Sequence, residues 1–364
     1  MPNSIVAAAW LIVVILVGAL LVIGRDVLIP LALAVLIWQL INAIAARYRK
    51  VRIRGQTPNT WLRLTLAVAT IVLALILVSN LIVDNVGAVT AAAPRYEQNL
   101  SQVLPHIAAT FGLPAPPRLG EMLGHIDIGA WIGSISTTLG AFAGNIGLVA
   151  LYVAFMLFEQ ESFDRKIDRL FPDPARAAEV RRLLGHMERR IERYLWIKTI
   201  LSVLAAVLSW FVLLAVGVDY AAFWALIVFM LSYIPTIGAI FGVMFPALLT
   251  LLQFGAIGPF LVVTIGLGII QFGLHNVLEP KLMGHSLNLS PVVMILSLAV
   301  WGSMWGVAGM FLCVPIMVIA MIICAHFTTT RPIALLMSAT GELERDVPDP
   351  AKRAAPLPAA MSQA

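Results

Sequence analysis

Glu279 and Lys281 stand two residues apart in Gln271-Phe-Gly-Leu-His-Asn-Val-Leu-Glu-Pro-Lys-Leu-Met-Gly-His-Ser286, a stretch that gathers polar side chains between two apolar runs. From Thr199 to Thr330 the only other formal charge is Asp219. A carboxylate, an ammonium, the imidazole of His275 and the carboxamide of Asn276 have the chemistry to bind a polar solute, pass on a proton or hold a cation. In hydrocarbon such groups are costly, and they face a protein interior or a wet cavity. A Glu279–Lys281 pair would lower that cost. Two readings stand: a short interfacial loop with ordinary charges, and a substrate path or gate. Glu279 with His275 is the one set suited to a proton relay. His275 and His285 alone make a poor metal site, so no metal and no cofactor is expected. HExxH, GxSxG, P-loop and dinucleotide fingerprints are all missing, and the chain reads as a non-enzyme.

These residues must be held by elements that live in lipid. The 364 residues are 60% hydrophobic and 12% charged, about half the charge of an ordinary soluble chain. Crossing ~30 Å of hydrocarbon takes about 20 apolar residues. Candidate spans are 5–24, 27–46, 61–83, 139–158, 199–217, 220–252, 256–274 and 292–326. The first lacks a positive leading segment and is followed at once by another, so it reads as an uncleaved span. The fold class is all-α: a polytopic integral membrane protein of about eight transmembrane spans, with broken or re-entrant helices and small amphipathic helical segments outside the bilayer. Spans 220–252 and 292–326 would each run to about 50 Å as a helix, too long for one crossing. Pro235, Gly238, Gly242 and Pro246 interrupt the first; Gly302, Gly306, Gly309 and Pro315 interrupt the second. Bent, split and re-entrant forms all fit, which leaves the side of the 275–291 loop open.

Charge sets the orientation. Segment 47–63 holds six Lys/Arg and no acid, and segment 159–198 holds ten Lys/Arg. With eight spans and a cytoplasmic N-terminus, both segments and the C-terminal tail fall inside, carrying 20 of the 24 Lys/Arg. The expected domains are then 1–83, transmembrane helices one to three; 84–138, an extramembrane, periplasmic helical segment; 139–158, the fourth helix; 159–198, a cytoplasmic amphipathic segment; 199–330, core helices five to eight; and 331–364, a disordered cytoplasmic tail. Within the cytoplasmic segment, Asp173 and Pro174 suit a helix start. Val180, Leu184, Met187, Ile191 and Tyr194 then form one stripe, fit for a lipid surface or a neighbouring helix. Gly129/Gly133, Gly140/Gly144, Gly238/Gly242 and Gly302/Gly306 are each four apart, and on helices such pairs allow close packing. Packing is the default role for Gly140, Gly144, Gly242, Gly302 and Gly306. In the two overlong spans, broken helices would also expose carbonyls and helix ends to a polar substrate.

At several of these residues the chain resembles the autoinducer-2 exporter family (AI-2E, also called UPF0118, with its PerM-type permeases). The resemblance rests on Phe158-Glu-Gln-Glu-Ser-Phe163, Tyr194-Leu-Trp-Ile-Lys-Thr199, Tyr233-Ile-Pro-Thr-Ile-Gly238, Asn276-Val-Leu-Glu-Pro-Lys-Leu-Met-Gly284 with Ser286-Leu-Asn-Leu-Ser-Pro291, and Trp301-Gly through Gly309-Met to Val314-Pro315. Two departures bear on substrate preference. Ser232 stands where the family often has Asn before Tyr-Ile-Pro, and His275 stands where it often has an acid or Asn.

The resemblance implies a permease of the bacterial inner membrane, exporting a small polar solute such as the quorum-sensing signal autoinducer-2. Its path would run between 220–252 and 292–326, with Ser232, Tyr233, Pro235, Gly238, His275, Asn276, Glu279 and Lys281 lining or gating it. The alternatives are a Na+/H+ antiporter, which the family also includes, and a non-transporting oligomeric scaffold. Expected partners are membrane lipid, the solute, Na+ or H+ as a coupling ion, and further copies of the chain; no nucleic acid is expected.

Overall fold

The computed structural model describes residues 3–48, 59–110, 146–283 and 288–342. Gly129, Gly133, Gly140, Gly144, His285 and segment 111–138 lie outside the described residues. The helices are α1 (Asn3–Ile23), α2 (Arg25–Tyr48), α3 (Thr60–Thr110), α4 (Ile146–Leu170), α5 (Pro174–Val216), α6 (Ala221–Leu231), α7 (Ile237–Phe254), α8 (Ile257–Phe272), α9 (Glu279–Met283), α10 (Pro291–His326) and α11 (Arg331–Met337), with a π-helical turn, Gly273–Leu278, joining α8 to α9. Among the described residues there is no strand, only an isolated antiparallel bridge between Leu289 and Ser338. Seven helical stretches are long and apolar enough to cross a membrane. The all-α, polytopic membrane class is therefore what the chain adopts.

Two helices extend past the ends assigned from charge. The amphipathic helix expected over 176–198 and the fifth span are one unbroken helix, α5, of 43 residues. Asp173 caps it: the carboxylate accepts the Ala175 N–H at 2.9 Å and the carbonyl accepts the Ala177 N–H at 3.0 Å. Likewise α3 runs on through Thr110 into the segment expected outside the bilayer.

The chain divides into two compact units. One comprises Leu40–Leu151 and Leu195–Leu282, the other Met1–Gln39, Tyr152–Tyr194 and Met283–Ala364. In the first unit the overlong span 220–252 is a helical hairpin, α6 returning as α7. The Gln253 carboxamide donates to the Gly217 carbonyl at 2.9 Å and accepts the Asp219 N–H at 2.7 Å. A straight helix would hold Gly217 and Gln253 about 54 Å apart. The turn is Ser232–Thr236, where Pro235 has no N–H to give and Thr236 takes φ 63°. Closure is tight: a Cβ on Gly238 would lie 2.0 Å from the Leu231 carbonyl oxygen. Phe223, Trp224, Ala247, Val263 and Leu267 pack as an apolar core among α6, α7 and α8. The Asn99 carboxamide donates to the Leu252 and Gln253 carbonyls, each at 2.9 Å, satisfying two acceptors at the α7 C-terminus.

The second unit contains the other overlong span, and it too turns back. Within α10, Gly306 has φ 61° and ψ −142°, a conformation open only to glycine. A Cβ on Gly309 would lie 1.9 Å from the Trp301 carbonyl oxygen, and one on Gly302 would meet the Met310 side chain. Residues eight apart on a straight helix are separated by about 12 Å. Both ends of α10 are therefore at one face, where the Ser290 N–H donates to the Met337 carbonyl at 2.8 Å. Trp305, at the turn, donates through its indole N–H to the Leu21 carbonyl of α1 at 2.9 Å.

Each overlong span thus enters and returns instead of crossing once, which selects the re-entrant form among the bent, split and re-entrant ones that the sequence left open. The tail expected to be disordered from residue 331 is also corrected. It forms α11, buries Ala334 and Met337, and is clasped by Asn288, whose carboxamide donates to the Glu342 carbonyl at 2.7 Å and accepts from the Thr340 hydroxyl at 3.1 Å. Residues 343–364 lie outside the described residues.

Candidate transport site

The turn of the α6–α7 hairpin meets the polar end of α5. Thr199 Oγ1 donates to the Leu195 carbonyl at 2.7 Å, which spends its one proton. The Tyr233 hydroxyl, 2.8 Å from Thr199, is then the donor in that contact. Ser232 is buried and donates to the Val228 carbonyl. One residue before Thr199 on α5, Lys198 is 1% exposed, and its ammonium donates to Glu279 Oε1 at 2.7 Å. The Glu279 side chain keeps 18% of its surface, and His275 Nε2 lies 3.9 Å from its other oxygen. His275 Nδ1 is 3.1 Å from the Gln271 carbonyl. Gln271 is carried on α8, His275 on its π-helical continuation and Glu279 at the start of α9, so the widened backbone lies between them and changes their relative directions from those of a regular helix.

The contacts also fix faces. Lys198 and Glu279 mark one end of the apolar part of α5; Gly217, Asp219 and Gln253 mark the other, about 27 Å away along the helix. The stretch after α8 therefore shares a face with Lys198.

Of the residues singled out from sequence, Ser232, Tyr233, His275 and Glu279 come together here. Pro235 is half-buried at the turn, and Gly238 is buried against the Leu231 carbonyl, closing the hairpin. Asn276 and Lys281 are exposed and outside the cluster. The expected Glu279–Lys281 pair is corrected: the partner of Glu279 is Lys198, 81 residues earlier. Gly242 packs against Gln271, and Gly302 against Met310. Gly306 meets nothing within 4 Å where its Cβ would be, so its role is the turn conformation and not helix packing. Sequence reasoning missed Lys198, Thr199 and Gln271. Lys198 was legible as the last charge before a long apolar run, since ionisable groups there need partners.

A multi-pass helical bundle with two returning hairpins, one of them ending beside a buried ion pair, has the build of a membrane transporter. The chain belongs to the AI-2E transporter family, whose profile matches residues 10–329. Among curated proteins it is similar to the AI-2 transport protein TqsA of Escherichia coli strain K12, at 27% identity over 351 residues, 93% of this chain and 98% of the relative. It is also similar to a provisionally named transport protein of Haemophilus influenzae, at 29% identity over 333 residues, 90% of this chain and 93% of the relative.

Proposed function

We propose that this protein is a permease of the bacterial inner membrane that exports a small polar solute past the cluster of Lys198, Thr199, Tyr233, His275 and Glu279. The observation that carries the reading is the convergence of these groups at the turn of a broken helix. In hydrocarbon, polar groups and irregular backbone persist only where they face protein or a wet path. The Tyr233–Thr199 contact joins the turn to α5 and acts as the gate. Thr236 supports that role, because a β-branched residue at φ 63° stores strain that movement of the turn releases. The name of the Escherichia coli relative, an AI-2 transport protein, favours an autoinducer-2-like solute. Both termini lie in the cytoplasm on this reading, because the Lys/Arg-rich segments face inward. Solute flux in proteoliposomes of the purified protein, against empty liposomes, is the test. Flux equal to the empty control discards the permease and leaves the oligomeric scaffold.

A second reading, a Na+/H+ antiporter, is favoured by one observation: His275 and Glu279 lie close together beside Lys198 within an apolar bundle. Replacing Glu279 by Gln removes the titratable carboxylate. Full pH-dependent sodium efflux from Glu279→Gln vesicles would rule the antiporter out.

A further inference from the structure

Gln271 is 2% exposed, and among the described residues neither the oxygen nor the nitrogen of its side-chain amide has a hydrogen-bond partner. A buried carboxamide left wholly unpaired costs several kcal/mol by transfer measures, and such a group calls for an explanation. Its place narrows the choice. Gln271 lies eight residues before Glu279, deeper along the helix by at most about 12 Å. It faces Gly242 on α7, where an added Cβ would lie 3.0 Å from its nitrogen, so any larger residue there would push on the amide. The π-helical turn begins two residues later and supplies slack in the backbone beside it.

A second observation points the same way. Ser202 and Ser209 on α5 are both 0% exposed, and their hydroxyls have no partner among the described residues. They share a helical face with Lys198, which pairs with Glu279, and with Val212, which packs at Gly266. That face is therefore turned toward α8. Uncharged, unsatisfied donors and acceptors thus flank α8 on the α7 and α5 sides, inward of the ion pair.

We infer that the Gln271 carboxamide is the solute-recognition group and that it takes a neutral, hydroxyl-bearing molecule. An amide offers one acceptor and two donors in a plane, which match adjacent hydroxyls or a hydroxy-carbonyl. A neutral ligand suits it because the groups that face α8 here, Gly242 on α7 and the Ser202 and Ser209 hydroxyls on α5, are uncharged. This inference rests on the permease reading and names the substrate class of that site.

The test uses purified full-length protein in proteoliposomes, with glycerol, erythritol and ribose as probes and osmotic swelling as the readout. Gln271→Leu keeps the volume and removes the hydrogen bonds. Thermal midpoints in detergent are measured alongside, because a change that deletes an unpaired buried amide leaves stability unchanged or higher. The expected result is flux of at least one probe in the native protein, about tenfold less in Gln271→Leu, and no fall in the midpoint. Undiminished flux in the variant overturns the inference and leaves the permease standing. Lost flux together with a lowered midpoint also overturns it, since the amide would then be a structural bond. If native vesicles pass a charged solute or sodium but none of the three probes, the neutral class is wrong and the permease survives. If they pass nothing, both readings fall.

Discussion

The Lys198–Glu279 pair makes a quantitative prediction with an asymmetry built in. At 2.7 Å and an effective dielectric of about 20, the gross attraction is about 6 kcal/mol, most of it offset by the cost of drying two charges. The informative change removes one partner and strands the other, which costs about 3–5 kcal/mol at buried sites. The two partners differ in their access to water. The Lys198 side chain is 2% exposed and the Glu279 side chain 18%. Lys198→Met strands the carboxylate that can still draw water, so its cost falls near 3 kcal/mol. Glu279→Gln strands the ammonium that cannot, and its cost falls near 5 kcal/mol, reduced by whatever bond the new amide oxygen offers. In a Cys324→Ser background, a fluorogenic maleimide in detergent reports unfolding through Cys313, which is 0% exposed. Midpoints should descend from native to Lys198→Met to Glu279→Gln. The double variant Lys198→Met/Glu279→Leu should recover much of the loss, since no charge is left stranded. A Lys198→Met midpoint equal to native would refute the reasoning, because a desolvated pair cannot lose one member without cost. A double variant as unstable as the sum of the singles would refute it too, by showing that the two side chains are uncoupled.

Three further predictions address the turns and the clasp. Tyr233→Phe removes the donor to Thr199 and should cost about 1 kcal/mol while raising basal leak in proteoliposomes, as expected when a gate is unlatched; an unchanged leak argues against the gate. Gly306→Ala should cost about 1–3 kcal/mol from backbone strain alone, since nothing crowds the new methyl, whereas Gly302→Ala meets only the flexible Met310 chain and should cost less; equal midpoints would contradict this. Asn288→Ala removes the side-chain bonds to Thr340 and Glu342, so chymotrypsin should cut at the exposed Leu336 of α11 faster than in the native protein; an unchanged rate means that the clasp does not hold α11.

Much of the architecture was legible because hydrocarbon is a simple solvent. Runs of about 20 uncharged residues have few alternatives to a membrane helix. The break at Tyr233-Ile-Pro-Thr236 was legible from Pro235, and the one at Gly306 from glycine clustering. What followed each break was not. A bend and a full return differ only in whether the two arms find contacts with each other, and those contacts are distant in sequence: Gln253 with Gly217, Val228 beside Gly242. The end assigned to the amphipathic helix at Lys198 marked a change of surroundings and not of backbone. Nothing in Trp196-Ile-Lys-Thr199 stops a helix, and α5 runs through it. In the tail, Pro348, Pro350, Pro356 and Pro358 all come after α11 in the sequence, and α11's own Pro332 is tolerated in the first turn.

The partner of Glu279 was misjudged for a related reason. Lys281 is near in sequence, but two residues along a helix point in opposed directions, so the pair could not form there. The same geometry bears on orientation. Because α6 and α7 return to the face they left, α8 carries the chain back to the face of Lys198, and Lys281 goes with it. A topology of single crossings leaves Lys281 on the face opposite the basic segments; the returning hairpin brings it to theirs. The returning hairpin thus accounts for the distribution of positive charge better than the straight span it replaces.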